Sequence, residues 1–223
     1  MKTNPFDHDL VWQMGPVLIT RPVVTTWGVM AVMLLLSWWV TRRLSVDKPG
    51  RVQTFAELMI TTLRDEMKST MKLDPEPFLP MIGTLFLFIL FANLTGLVPG
   101  AEAPTAALET DLVLALSVFF AVIGWGVQRH GVWGYMKSYA QPNLFVLPLN
   151  LLEAVTRVLS MTVRLFGNIM SGMFISAVVL GLAGLLVPIP FMALDLLTGL
   201  IQAYIFMILA MVFIAAAAGK SEP

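Results

Sequence analysis

Long apolar stretches alternate with short polar ones along this chain, and the apolar stretches have spanning length. A helix needs about 20 mostly apolar residues to cross the hydrocarbon core of a bilayer. Residues 23–41 form the first such run. It ends in Trp38-Trp39, aromatic side chains of the kind that anchor at a membrane interface, and then Arg42-Arg43. A second span is predicted over 78–98 and a third over 111–128. Two longer runs follow, 144–185 and 189–218. Pro188 and Pro190 are expected in the short turn between them, where no interior helical hydrogen bond is lost. The remaining segments are polar or turn-like: 1–22 at the start, a Pro/Gly/Ala loop over 99–110, and a connector over 129–143.

Residues 50–72 follow a different pattern. Val52, Phe55, Leu58, Met59, Leu63 and Met67 recur at helical spacing among Arg51, Glu57, Arg64, Asp65, Glu66 and Lys68. This pattern predicts an amphipathic helix along the membrane face or under the next span. The fold class is therefore an all-α polytopic membrane protein. It has about five transmembrane helices and one interfacial helix, within a single membrane domain over 1–223.

Composition agrees with that reading. Hydrophobic residues make up 57% and charged residues 13%, against about a quarter charged in a soluble domain. Net charge is zero, so no basic field points to nucleic acid. There is no cysteine, which excludes disulfides and thiolate ligands. His8 and His130 lie far apart in polar segments and predict no metal site. Residues 1–22 carry Asp7, His8, Asp9 and Arg21 and lack a signal-peptide core, so the first span is expected to insert the chain.

Lys and Arg counts set the expected orientation. The connector after the first span holds Arg42, Arg43, Lys48, Arg51, Arg64, Lys68 and Lys72. The connector after the third holds Arg129 and Lys137, and the tail holds Lys220. The 99–110 loop and the 185–190 turn hold none. This alternation predicts an outer N-terminus and a cytoplasmic C-terminus.

The last two runs carry unusual polar residues. With Glu153 set at zero and about 100° per residue, Thr156 falls near −60°, Ser160 near −20°, Arg164 near +20° and Arg157 near +40°. On the same scale Gly167 falls at about −40°, Asn168 at about +60° and Ser171 near zero. One stripe thus gathers nearly all the polar and small residues. Small and hydroxyl residues also line ordinary packing interfaces between spanning helices, and Ser160, Gly167 and Ser171 fit that reading too. Arg164 does not. A charge at mid-helix costs roughly 2.5–3.5 kcal/mol on insertion scales, so it needs a partner or a hydrated neighbour. Glu153 and Arg157 lie nearer one end, where solvation or pairing explains them equally well. In the last run Asp195 is the one charge, and Thr198 and Gln202 share its face. A lone Gln also serves as a helix-to-helix hydrogen bond. Antiparallel helices would place Asp195 near the outer end, Glu153 near the inner end, and Arg164, Asn168 and Gln202 between them. The pattern predicts two polar approaches, one from each side, meeting at a fixed positive charge.

Arg164-Leu165-Phe166-Gly167-Asn168 and Gln202-Ala203-Tyr204-Ile205-Phe206-Met207 resemble the signature motifs of subunit a of the rotary F-type ATP synthases. Asn93-Leu94-Thr95-Gly96-Leu97-Val98-Pro99-Gly100 and Pro148-Leu149-Asn150-Leu151-Leu152-Glu153 add to the likeness, which runs from about residue 78 to the end. The resemblance implies a non-catalytic, ion-translocating stator subunit of the membrane sector in a bacterial inner membrane. It implies that the chain works beside a c-subunit ring, with peripheral-stalk b subunits and the remaining membrane-sector and head subunits. Arg164 would face the ring and keep two half-channels apart. Asn168 and Gln202 would support it, Glu153 would lie on the cytoplasmic path, and Ser160, Ser171 and Thr198 would line the channel. Two positions depart from the common bacterial pattern: Met173 replaces an acidic residue nine after the arginine, and Asp195 replaces a histidine seven before the glutamine. Asp195 fits the outer half-channel, since mitochondrial members carry an acid there. The Met173 change keeps Na+ open beside H+ as the coupling ion, and with it a divergent sodium-type bacterial branch. No cofactor beyond the transported ion is expected. No GxxxxGK[ST] phosphate loop occurs, so nucleotide chemistry would belong to other subunits. A secondary transporter is the alternative class, but it would usually show inverted repeats, and none is visible. A purely structural membrane subunit is the other alternative, and it has no need of Arg164.

Overall fold

The computed structural model describes residues 10–14, 17–42, 44–45, 50–96, 102–139, 145, 147–184 and 187–219. Two short antiparallel strands, β1 (Leu10–Met14) and β2 (Val17–Thr20), form a hairpin that opens the described chain. The polar character of 1–22 gave no sign of it. Six α-helices follow among the described residues: α1 (Arg21–Thr41), α2 (Arg51–Met71), α3 (Leu79–Thr95), α4 (Leu108–Tyr139), α5 (Leu147–Ala183) and α6 (Pro188–Ala218). Helices α1, α4, α5 and α6 are long and apolar enough to cross a membrane. The apolar α3, at 17 residues, stands at the short end of the spanning range. The chain is thus an all-α polytopic membrane protein.

Helix α6 is the hub, packing against α2, α3, α4 and α5. Its buried side is Ala203, Phe206, Met207, Ala210, Met211, Ile214 and Ala218. The alanines let neighbouring backbones approach closely, which drives helix association in lipid where apolar burial alone does not. Ile82, Leu85 and Ile89 of α3, Ala115, Val118 and Val122 of α4, and Met161 and Leu165 of α5 complete the core. The outer surface is lined with exposed large side chains such as Leu34, Trp38, Phe120, Val163, Phe174 and Leu197. Such a surface suits hydrocarbon and not water.

The amphipathic α2 divides along its length. Leu63, Met67 and Met71 in its second half are buried in the core, while Val52, Phe55 and Leu58 in its first half are exposed. Tyr204 of α6 donates a hydrogen bond of 2.9 Å to Glu66 of α2. Arg64 pairs with Glu76 at 2.9 Å beyond the end of the helix.

Three boundaries differ from the sequence expectation. Residues 129–139, expected in a polar connector, are helical; α4 passes through a break at Gly131, whose φ of +71° suits a residue without a Cβ. Tyr135 then folds back so closely that a Cβ on Gly126 would overlap its ring. Pro188 and Pro190, expected in a turn, lie in the first turn of α6. There the missing N–H costs nothing and the fixed φ already suits a helix. Helix α5 ends instead at Ala183, followed by Gly184 at φ +78°. The described part of the 99–110 loop is not a surface loop. Pro104–Ala106 make a 3-10 turn, and Ala103, Thr105, Ala106 and Ala107 are buried.

One side chain fixes that turn. Asn93, buried near the end of α3, donates from Nδ2 to the Gly199 carbonyl of α6 at 2.8 Å. Its Oδ1 accepts from Thr105 Oγ1 at 2.8 Å. A Cβ on Gly199 would meet the Asn93 side chain at 3.1 Å, so the glycine permits this approach. We expect Asn93→Ala to destabilise the chain by about 1–2 kcal/mol, through loss of two buried hydrogen bonds. Thermal denaturation of the purified protein in detergent measures it; an unchanged midpoint would contradict this role.

Candidate functional site

Helices α5 and α6 run antiparallel around the turn at Gly184. The carboxyl group of Asp195 lies over Gly172, so closely that any Cβ at 172 would overlap it. Ser176 lies near the same carboxyl group, yet its hydroxyl makes no hydrogen bond of good geometry. This contact sets the register. Seven residues inward along α6 is Gln202, and seven inward along α5 is Leu165. Gln202 therefore sits at the depth of Arg164 and Leu165, about 10 Å from the level of Asp195.

Arg164 stands near the middle of α5, seventeen residues after Leu147 and nineteen before Ala183. Its side chain is exposed on the helix face, beside exposed Val163 and buried Leu165. Among the described residues it has neither an ion pair nor a hydrogen bond. The neighbouring Arg157 behaves differently. It pairs with Glu153 at 2.7 Å across one helical turn and stacks over the Phe213 ring at 4.0 Å. Both arginines belong to the polar stripe predicted on α5, and only Arg157 is matched internally.

The other predicted residues divide into three groups. Thr156, Ser171 and Thr198 are exposed and donate to carbonyls of their own helices, at 2.8, 2.9 and 3.0 Å. Such bonds satisfy a hydroxyl without a neighbouring helix. Ser160 and Gly167 are exposed on the Arg164 side of α5. Asn168 and Gln202 turn inward: Gln202 is buried, Asn168 half-buried, and the amide nitrogen of each lacks a partner. Met173 is exposed.

A groove leads from the N-terminal end of α5 to Arg164. Leu149, Leu152, Glu153, Thr156, Arg157 and Ser160 line its α5 side, and Leu209 and Phe213 its α6 side. Glu153 stands at its mouth, about 16 Å from Arg164 along the axis. On the opposite side Asp195, partly exposed, lies near the N-terminal end of α6. The structure thus brings Arg164, Gln202 and Asn168 to one depth and sets Glu153 and Asp195 on either side of it.

Two buried polar features escape the sequence pattern. Asn93 sits at the end of an apolar span, where an amide is usually solvated. Asp111 of α4 is fully buried, and neither carboxyl oxygen has a hydrogen-bond partner. An acidic residue in the first turn of a helix ordinarily faces water, where the helix dipole favours it. Its helical spacing with Ala115, Val118 and Val122 is the one signal that could have found it.

A sequence profile described as ATP synthase A chain matches residues 23–215. The chain is 52% identical to "ATP synthase subunit a 2" of Bradyrhizobium sp. strain BTAi1 over 99% of its own length and 98% of the relative's. It is 46% identical to "ATP synthase subunit a 2" of Acaryochloris marina over 95% of this chain and 91% of that one. It is 41% identical to "ATP synthase subunit a" of Albidiferax ferrireducens over 100% and 96% respectively. With motifs, helices and near full-length relatives in agreement, the chain belongs to the ATP synthase A chain family.

Proposed function

We propose that this chain is the ion-conducting stator of the membrane sector of a rotary ATP synthase, with Arg164 as its fixed coupling charge. The observation that carries this reading is the isolation of that guanidinium. It lies at mid-helix on a lipid-compatible face and has no counter-charge among the described residues, while Arg157 nearby has one. A charge in that setting is matched by a group outside the chain. Carboxyl groups on a ring of c subunits passing along the α5 face fit the requirement.

The mechanism is electrostatic. A ring carboxylate facing lipid is stable only when neutralised by a proton or a bound cation. Beside Arg164 its ionised form becomes favourable, and the ion leaves by one half-channel. A guanidinium holds its charge at any physiological pH, so it closes the direct route between the two half-channels. The ring site moves on and reloads from the other side. Each elementary charge crossing 100 mV supplies about 2.3 kcal/mol to bias that rotation. The groove headed by Glu153 serves the cytoplasmic half-channel. Asp195 serves the outer one, with Ser171 and Thr198 beside it, and Asn168 and Gln202 flank Arg164. The N-terminus is placed outside and the C-terminus in the cytoplasm. The b subunits of the peripheral stalk and the soluble head complete the assembly, and ATP chemistry lies on the head.

The proton is the proposed coupling ion and Na+ its rival; ATPase activity of the intact complex at fixed pH and varied Na+ decides between them. Arg164→Ala should abolish ATP-driven pumping and ATP synthesis in vesicles reconstituted with the whole complex. Coupled synthesis in that variant would sink the reading. Arg164→Lys should largely fail too, because a compact ammonium lacks the planar fork. Asp195→Asn should slow ion entry from the outer side with assembly intact, and Gln202→Leu and Asn168→Leu should give milder losses. Flux assays on the same vesicles measure all three, and normal outer entry in Asp195→Asn would remove that residue from the path.

A further inference from the structure

The buried carboxyl group of Asp111 has no role in the mechanism above, and its depth gives it one. Thr105 bonds to Asn93, which bonds to Gly199, so the 3-10 turn stands beside Gly199 of α6. Further along, Ala115, Val118 and Val122 of α4 share one apolar cleft with Arg157, Val158 and Met161 of α5 and Phe213 of α6. Helices α4 and α6 therefore run in the same direction, and Asp111 falls between the levels of Gly199 and Phe213. Asp111 also lies seven residues outward from Val118, and Arg164 seven residues outward from Arg157. Two helical turns on each helix bring the two residues to one depth, within about one turn. Asp111, Ala115, Val118 and Val122 are all buried at helical spacing, so Asp111 is on the stripe that faces α5 and α6.

Three buried or half-buried groups thus meet the Arg164 level with unused hydrogen-bonding capacity. Among the described residues, both carboxyl oxygens of Asp111 are acceptors without a donor, and the amide nitrogens of Asn168 and Gln202 are donors without an acceptor. A helix-capping role does not account for Asp111, because no backbone N–H reaches its oxygens. A carboxyl group in an apolar interior costs several kcal/mol unless neutralised or hydrogen-bonded, and an intramembrane acid is by default functional. The other carboxyl groups near this end of α4 are Glu109, which is exposed, and Glu102, which is half-buried.

We propose that Asp111 is an internal proton relay at the level of Arg164, working with the amides of Gln202 and Asn168. A proton arriving as hydronium forms the O–H bond of the Asp111 carboxylic acid and leaves water behind. It then passes to a water on the Gln202 side, restoring the carboxylate. This assignment rests on the ion-path reading of the chain, and its failure is separable from that reading's. Passive proton flux through the membrane sector, with the soluble head removed, is measured in vesicles for the parent, Asp111→Asn and Asp111→Glu. Assembly is checked by co-purification of the chain with the complex. The Asn variant should lose at least about tenfold in flux and the Glu variant should recover it. A smaller loss, or no recovery with Glu, overturns the relay; normal flux in Asp111→Asn alongside a dead Arg164→Ala sinks the relay alone. To separate the relay from any packing effect of Asp111→Asn, the unmodified complex is treated with a lipid-soluble carbodiimide, which modifies protonated buried carboxyl groups. Peptide mass analysis should find Asp111 modified, and an unmodified Asp111 refutes the proposal.

Discussion

A positive charge without an internal partner, placed halfway along an apolar helix, sets the terms for the rest of this molecule. In a medium of low dielectric such a charge is costly to hold, and its surroundings must be built to keep it there. The chain meets that demand by separation. Arg157, two turns away, is neutralised by Glu153 and shielded by Phe213. Asp195 is held over Gly172, two helical turns along from the Arg164 level. Neither acid comes near enough to cancel Arg164 from within the chain.

The packing serves that separation. Helix α6 binds α2, α3, α4 and α5 together, and its alanine-rich side lets the helices close on it. The Asn93 clamp draws α3 and the 3-10 turn onto Gly199, three residues before Gln202. The stretch of α6 that carries Gln202 is therefore tied to α3 and to the 3-10 turn by two buried hydrogen bonds. Rigid positioning matters for an electrostatic device, since the strength of its field at a passing charge falls with every ångström of drift.

Much of this was legible in the sequence. Span lengths, the amphipathic α2 and the polar stripe on α5 follow from periodicity, because the bilayer imposes one length and one polarity rule on every crossing. Arg164 stood out for the same reason. Three things were not legible. The inward fold of Ala103–Ala107 depends on a hydrogen bond that Thr105 donates to Asn93, twelve residues earlier, and composition alone reads that segment as a loop. The helix after Gly131 continues because one glycine accepts a positive φ, whereas the polar character of Arg129 and His130 reads as an end. Asp111 looks like a solvated helix start, and its place on the buried stripe of α4 removes it from water. In each case tertiary packing overrode a local signal.

The seat of Asp195 on Gly172 links two positions that stand far apart in the chain. The hydrogen at the α-carbon of residue 172 is the floor on which the acid rests, so the volumes at 172 and 195 trade against each other. A side chain at 172 fits only if residue 195 retreats, and a larger group at 195 fits only over a bare backbone. Lineages that alter one of these sites are thereby steered in what they can place at the other. The chemistry possible at position 195 is thus bounded by the size of a neighbour with no chemistry of its own.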